Sequence, residues 1–380
     1  MDGTKKKILQ IGYGSFVKAG IQTVIMNITR GLHEGYAVDV LLTSNKPGYY
    51  DEEFTRYGTI YRVNCDVDGF STLRRYAHYC IRPFKQFFYT YQLIRKNGYD
   101  IVHIHGGMDA GPMFLAAKAA KAKHIVAHSH RAAFAIPEKR SLFSEIYRRI
   151  SKKAIARYAT AKVGVSQDAN EYLYGNKDCL VINNPVELDR FLNAKRSRTD
   201  NQLVLSNVGR YDYQKNQVFL LQITKALLLR GYNVKTNLVG FGSDEQMLRD
   251  TIAGLGIAES VEMIPGNGAV DIPGILANSD LFVFPSVCEG LGIAAVEAQA
   301  AGCLCLASDI VPRETDLGLC EYFSLDAGAE AWADKVIQMI EDKGQYKVNQ
   351  AALNGFKLEN VQASFRTFYN NLLHESNCLP

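Results

Sequence analysis

The chain has 380 residues, longer than one ordinary domain, and 47% hydrophobic with 22% charged residues is a globular composition, so disorder, low-complexity arrays and peptide-sized scaffolds are excluded. Asp280, Glu289, Glu297 and Asp309 interrupt the most apolar region, and no uncharged window reaches the ~18 residues that a bilayer crossing needs. The formal charge of +4 is unevenly divided: up to Lys195 there are 29 Lys and Arg against 17 Asp and Glu, and beyond it 14 against 22.

A basic front half points to an anionic partner, whether lipid surface, nucleic acid or charged substrate, and charge alone does not choose among them. Eight cysteines, at 65, 80, 179, 288, 303, 305, 320 and 378, include no CxxC pair and no Cys/His ligand spacing. Reduced thiols in cytoplasm and no zinc are expected.

Lys5–Lys7 followed by Ile8–Ile11 has the outline of a signal peptide, but Gln10, Gly12 and Gly14 break it and Lys18 closes it early. A buried first strand, Lys7–Ile11, is expected instead. Further strand-like runs follow at Val38–Leu42, Ile101–His105, Ile125–His128, Lys162–Val165, Leu203–Val208, Lys235–Val239, Val261–Ile264, Leu281–Phe284 and Leu304–Ala307, each separated by helical stretches. This βαβα rhythm predicts parallel sheets covered by helices, and the continuously apolar strands predict burial on both faces. No internal repeat is present at solenoid periods.

Residues 194–202 are polar and aperiodic, which puts the expected boundary at mid-chain: a first domain over 1–193 and a second over 203–360. Val361, Phe365, Phe368 and Leu372 have helical spacing, and a C-terminal helix within 361–380 is expected that can pack back on the first domain. Two α/β domains of similar size predict a cleft facing the carboxyl ends of both sheets, with the active site bridging them.

The segment from Leu281 to Gly302 reads as strand, loop, helix and stop. Pro285 ends the strand, Gly290 and Gly292 permit close backbone approach, and Ile293–Ala301 is a strong helix former closed by Gly302. The helix N-terminus suits a phosphate or diphosphate, and Glu289 and Glu297 are acceptors suited to sugar hydroxyls. Arg210 and Lys215 follow the buried run Leu203–Val208, where a strand's carboxyl end meets the expected cleft; a bare R-x4-K also fits two surface cations.

His105, His128 and His130 cluster at strand ends, and the H-x-H spacing puts His128 and His130 on one side of the chain. Either a polar cluster or a metal site fits that pattern. Metal is not expected, because no carboxylate or Cys spacing completes a ligand set. The dinucleotide fingerprint is disfavoured, since Val17 stands where G-x-G-x-x-G needs Gly or Ala; neither a P-loop nor a Gly-x-Ser-x-Gly elbow is present.

Glu-x7-Glu within PSVCEGLGIAAVEAQAAG resembles the donor-binding signature of the retaining GT-B glycosyltransferases of family 4. The resemblance extends over nearly the whole chain, through Ala19-Gly20 after the first strand, HIHGG at 103–107, VAHSH at 126–130, GRYDYQKN at 209–216, VGFGSD at 239–244 and NSDLFVFPS at 278–286. It implies a GT-B fold of two Rossmann-like domains, acceptor-binding first and nucleotide-sugar-binding second.

By position the resemblance assigns Glu289 to donor-sugar hydroxyls, Glu297 to the ribose, Arg210 and Lys215 to the diphosphate, and His130 to the neighbourhood of the reacting sugar. Gly20, Gly240, Gly242, Gly290, Leu291, Gly292 and Ile293 join the donor-binding set. Two departures stand out: Ala19-Gly20 where the family often has Gly-Gly, and Asn183-Asn184-Pro185 where it often reads Pro-Asn-Gly.

The implied activity is transfer of a hexose-type sugar from a nucleotide sugar, a UDP-sugar foremost, to a glycan or lipid-linked glycan in polysaccharide assembly, without cofactor or metal. The alternatives are a nucleotide-sugar epimerase or hydrolase, detected as free nucleotide and modified sugar without acceptor, and a non-catalytic nucleotide-sugar-binding protein, detected as absence of turnover.

Between Arg131 and Arg157 eight basic residues face only Glu138 and Glu145, interleaved with Phe134, Leu142, Phe143, Ile146, Tyr147 and Ile150. Arg74 to Lys96 repeats this mixture with Tyr76, Tyr79, Phe84, Phe87, Phe88, Tyr89 and Tyr91. Both are candidates for an anionic membrane surface, each basic residue contributing ~1 kcal/mol there, and the second also fits an ordinary amphipathic helix. No recognition module supports nucleic acid as a partner. The expected location is cytoplasmic, peripheral on the inner face of the membrane.

Overall fold

The computed structural model describes residues 5–17, 20–67, 69, 71–131, 142–266 and 270–375, without the side chains of 72–79, 142, 143 and 375. The chain divides into two compact units, one built from residues 1–132, 138–185 and 358–380, the other containing 186–357.

In the first unit β1 (Lys6–Ile11), α1 (Gly20–Leu32), β2 (Tyr36–Leu42), α2 (Asp51–Phe54) and β3 (Ile60–Arg62) precede the long α3 (Thr72–Asn97). There follow β4 (Ile101–His105), α4 (Gly111–Ala119), β5 (His124–Ser129), α5 (Leu142–Tyr158), β6 (Ala161–Gly164), α6 (Gln167–Tyr174) and β7 (Leu180–Val181). The strands form one parallel sheet of order β3-β2-β1-β4-β5-β6-β7. Parallel strands need crossovers, and the helices that supply them cover both faces, which is why β4 and β5 are buried at every position.

The second unit runs through α7 (Asp189–Leu192), β8 (Leu203–Val208), α8 (Gln217–Leu229), β9 (Val234–Gly240), α9 (Glu245–Leu255), β10 (Val261–Pro265), α10 (Ile272–Ala277), β11 (Leu281–Phe284), α11 (Ile293–Ala300), β12 (Leu304–Ser308), β13 (Cys320–Phe323), α12 (Gly328–Glu341) and α13 (Gln350–Asn354). Its parallel sheet has the order β10-β9-β8-β11-β12-β13. That is the doubly wound order, with the connection reversing direction between β8 and β11.

Residues 194–202 lie inside this second unit. Arg196 and Arg198 both reach Asp280, Arg196 at 2.7 Å, and Ser197 N–H donates to Asn278 Oδ1 at 2.9 Å. A polar, aperiodic stretch is here a strap held by ion pairs.

The last described helix, α14 (Leu358–Glu375), belongs to the first unit. Val361, Phe365, Tyr369 and Leu372 of α14 are buried with Ile8, Val24, Ile28, Val38 and Val126 in one core. The second unit has its own core around Leu205, Leu220, Leu238, Val283, Leu306 and Trp332. All seven described cysteines are free thiols, and among the described residues no helix is long and apolar enough to cross a membrane.

Candidate functional site

In the second unit the loops after β8 and β11 meet at the reversal of strand order, where open α/β sheets bind ligands at their carboxyl ends. Lys215 Nζ donates to Glu289 Oε1 at 2.6 Å, and Ser286 Oγ donates to the same oxygen at 2.8 Å. Glu289 is only 6% exposed. A carboxylate so buried needs its countercharge, because desolvating it alone costs several kcal/mol. The Lys215 ammonium also lies 4.8 Å from the Phe284 ring centroid, so a cation–π contact holds it from a second direction.

Backbone and amide bonds tie the two loops together: Val287 N–H donates to Gln214 O at 2.9 Å, Gln214 Nε2 to Cys288 O at 2.6 Å and Asn216 Nδ2 to Pro285 O at 3.1 Å. The ion pair therefore sits on a fixed frame. Arg210 extends outward, 68% exposed at its side chain, and pairs with Asp212 at 3.0 Å.

Gly292, at φ 95°, is the N-cap of α11, and no side chain caps the helix. A Cβ there would lie 3.0 Å from the Phe284 ring, so the position takes glycine on both counts. Leu291 beside it is buried, Ile293 opens the helix, Gly290 is half-buried, and Glu297 stands half-buried one turn into α11. The uncapped N-terminus beside a buried ammonium can accept an anion.

Gly240 and Gly242 have a reason internal to the protein. A Cβ would fall 1.9 Å from Gly209 O and 2.2 Å from Tyr211 O respectively, so glycine lets the loops after β8 and β9 touch backbone to backbone. The resemblance assigns the same two glycines to the donor-binding set.

His130 and Gly20 belong to the first unit. Gly20 opens α1, and its neighbour Ala19 lies outside the described residues. His130 follows β5 and completes a four-histidine patch on one sheet face. His103 and His105 alternate along β4 and stack at 4.1 Å between centroids, His128 is in register with His105, and His128 and His130 lie 4.0 Å apart. Phe365 of α14 packs on His103 and His128, and Tyr369 on His103.

The patch is hydrogen-bonded from below. Gln10 Nε2 donates to Tyr369 Oη at 3.2 Å, Tyr369 Oη bonds His103 Nδ1, Gln10 Oε1 faces His105 Nε2 at 2.5 Å, and His105 Nδ1 faces His130 Nε2 at 3.0 Å. Burial lowers the pKa of all four imidazoles, that of His130 to about 3, which keeps them neutral at physiological pH.

One nitrogen from each of His103, His105 and His128 lies within 4.8 Å of the others, close enough to consider a metal ion. Against that use, His103 Nδ1 and both nitrogens of His105 are already engaged. His103, Gln10 and Tyr369 are the members that sequence reasoning missed. The available signals were a fourth histidine two residues before His105 and an amide inside the apolar first strand.

Charge and apolar exposure coincide on two helices of the first unit, α3 and α5, which both pack on α4. Ile81, Phe84 and Phe88 form an exposed stripe on α3 beside Lys85, and Ile146 and Ile150 one on α5 beside Arg149, Lys153 and Arg157. The side chains of Arg74, Tyr76, Tyr79, Leu142 and Phe143, together with residues 132–141, including Phe134, Lys139 and Arg140, lie outside the described residues.

Two family models match consecutive halves of the chain: Glycosyltransferase Family 4 over residues 19–190 and Glycosyl transferases group 1 over residues 189–354. Among relatives, the capsular polysaccharide biosynthesis glycosyltransferase CapH of Staphylococcus aureus is 24% identical over 96% of this chain and 98% of its own. The UDP-Gal:alpha-D-GlcNAc-diphosphoundecaprenol alpha-1,3-galactosyltransferase of Escherichia coli is 27% identical over 73% of this chain and 77% of its own. Alr3699/HepE of Anabaena, solved in complex with UDP, superposes with a TM-score of 0.73 at 17% identity, covering 96% of this chain and 100% of that one. The fold is GT-B, and the relatives favour glycosyl transfer over the epimerase or hydrolase alternative.

Proposed function

We propose, for a chain that belongs to the GT-B glycosyltransferases of the family 4 type, that it transfers a hexose-type unit from a nucleotide sugar, a UDP-sugar foremost, to a glycan or lipid-linked glycan acceptor with retention of anomeric configuration. The observation that carries this reading is the buried Lys215–Glu289 pair beside the uncapped N-terminus of α11.

An oxocarbenium-like transition state leaves negative charge growing on a diphosphate. Lys215, held through one N–H by Glu289, keeps two donors for that diphosphate, and Arg210 and the α11 N-terminus supply further positive potential. Glu289 takes the donor sugar's hydroxyls, Glu297 the ribose, and His130 stands near the reacting sugar. The glycine-bearing loops after β1 and β9, with Gly20, Gly240 and Gly242, complete the donor surroundings. With the leaving charge met by these groups, the transfer needs neither metal nor cofactor.

The relatives that name a diphosphoundecaprenol or diphosphopolyprenol acceptor support a lipid-linked one here. The stripes on α3 and α5, apolar and basic together, support docking on an anionic membrane at its cytoplasmic face. Nucleic acid has no part in this reading.

A thermal-shift screen over nucleotide sugars, followed by product analysis with the stabilising donor and polyprenol-diphosphate sugars, tests the proposal. A raised midpoint with one donor and a glycosylated lipid of retained anomeric configuration is expected. Release of free sugar alone, or no midpoint shift with any nucleotide sugar, overturns it.

A further inference from the structure

The hydrogen bonds under the histidine patch have a direction, and it can be followed proton by proton. An amide oxygen only accepts, so Gln10 Oε1 requires a proton on His105 Nε2. Burial holds His105 neutral, with one ring proton, so its Nδ1 is bare and can only accept. The facing atom, His130 Nε2, must then be the donor. His130 is neutral too, which leaves its Nδ1 bare.

The other branch agrees. Gln10 Nε2 donates to Tyr369 Oη, freeing the phenolic proton for His103 Nδ1. Among the described residues none bonds His130 Nδ1.

We propose that Gln10, anchored by Tyr369, acts through His105 as a positioning residue that fixes His130 as the Nε2–H tautomer and presents its Nδ1 as a hydrogen-bond acceptor. This rests on the reading that His130 stands beside the reacting sugar. There an Nδ1 acceptor takes a hydrogen bond from a sugar hydroxyl and has no proton to give to the leaving group. Reversing the Gln10 amide would reverse every proton in the chain and turn His130 Nδ1 into a donor, so one side chain in β1 sets the polarity of a ring beyond β5.

The test is the pair of imidazole ¹⁵N shifts of His130, read from long-range ¹H–¹⁵N correlation on the full-length wild-type chain near pH 7.5. A protonated Nε2 and an unprotonated Nδ1 are expected. A protonated Nδ1 in the wild type overturns the proposal without need of any variant.

Gln10→Met removes amide oxygen and nitrogen at similar volume, and both His130 nitrogens are expected to move to intermediate shifts as the tautomers mix. Gln10→Glu keeps an acceptor for His105 and is expected to restore the wild-type pattern. Wild-type His130 shifts in a folded Gln10→Met protein also overturn the proposal. His130→Ala serves the separate question: undiminished transfer would remove His130 from the sugar site while leaving the tautomer measurement standing.

Discussion

Lowering the pH loads protons onto the unfolded chain that the folded first unit refuses. His103, His105, His128 and His130 all have pKa values lowered by burial, that of His130 to about 3. Below the unfolded value of about 6.5 the unfolded state binds more protons, so stability falls with pH, beginning near 6.5 and continuing for His130 down to about 3. Each histidine kept neutral contributes a slope of about 1.4 kcal/mol per pH unit, and four contribute about 5.5.

Set against a typical stability of about 5–15 kcal/mol, that slope exhausts the first unit between roughly pH 5.5 and pH 4. The measurement is urea denaturation at several pH values between 7.5 and 5. Far-UV circular dichroism reports the whole chain, and the fluorescence of Trp332, the protein's single tryptophan, reports the second unit. A strongly pH-dependent transition seen by dichroism, and a weaker dependence by Trp332 fluorescence, are expected. A slope below about 1.4 kcal/mol per pH unit, the uptake of a single proton, would refute the neutral cluster.

Lys215→Ala strands the Glu289 carboxylate in a site 6% exposed and should destabilise the second unit by about 3–5 kcal/mol, with part recovered by adding Glu289→Gln. Trp332 fluorescence in urea reads this, and transfer by the surviving folded fraction should fall by at least about a hundredfold. Gly242→Ala puts a methyl 2.2 Å from the Tyr211 carbonyl and should cost about 1–3 kcal/mol, measured as a lower thermal midpoint. Glu297→Ala should weaken UDP binding about tenfold by calorimetry with the fold intact; unchanged affinity removes it from the ribose. Phe84→Asp with Phe88→Asp on the α3 stripe should abolish co-sedimentation with anionic vesicles at low salt, and wild-type-like binding of that variant would move the membrane contact elsewhere.

Ten strands were legible as short β-rich runs, several of them continuously apolar because both faces are covered, and Ile101–His105, Leu203–Val208 and Leu281–Phe284 match their observed bounds. The three that escaped, β3, β7 and β13, are strands of two to four residues at the sheet edges, with partly exposed residues. The loop–helix segment after β11 was readable from glycine and proline chemistry. Its pairing with Lys215 was not, because the two residues come together only through the adjacency of β8 and β11, which local sequence does not encode. The histidine network was half visible for the same reason: alternation showed the rings, while Gln10 and Tyr369 arrive from opposite ends of the chain.

Helix α14 also dictates an order of synthesis. Val361, Phe365, Tyr369 and Leu372 complete the core of a unit whose first strand begins at Lys6. On the ribosome the second unit has its whole chain available first, while the first unit waits with part of its apolar face uncovered until α14 has been made. A stop codon just before residue 358 therefore leaves the chain of the second unit whole and strips the core of the first.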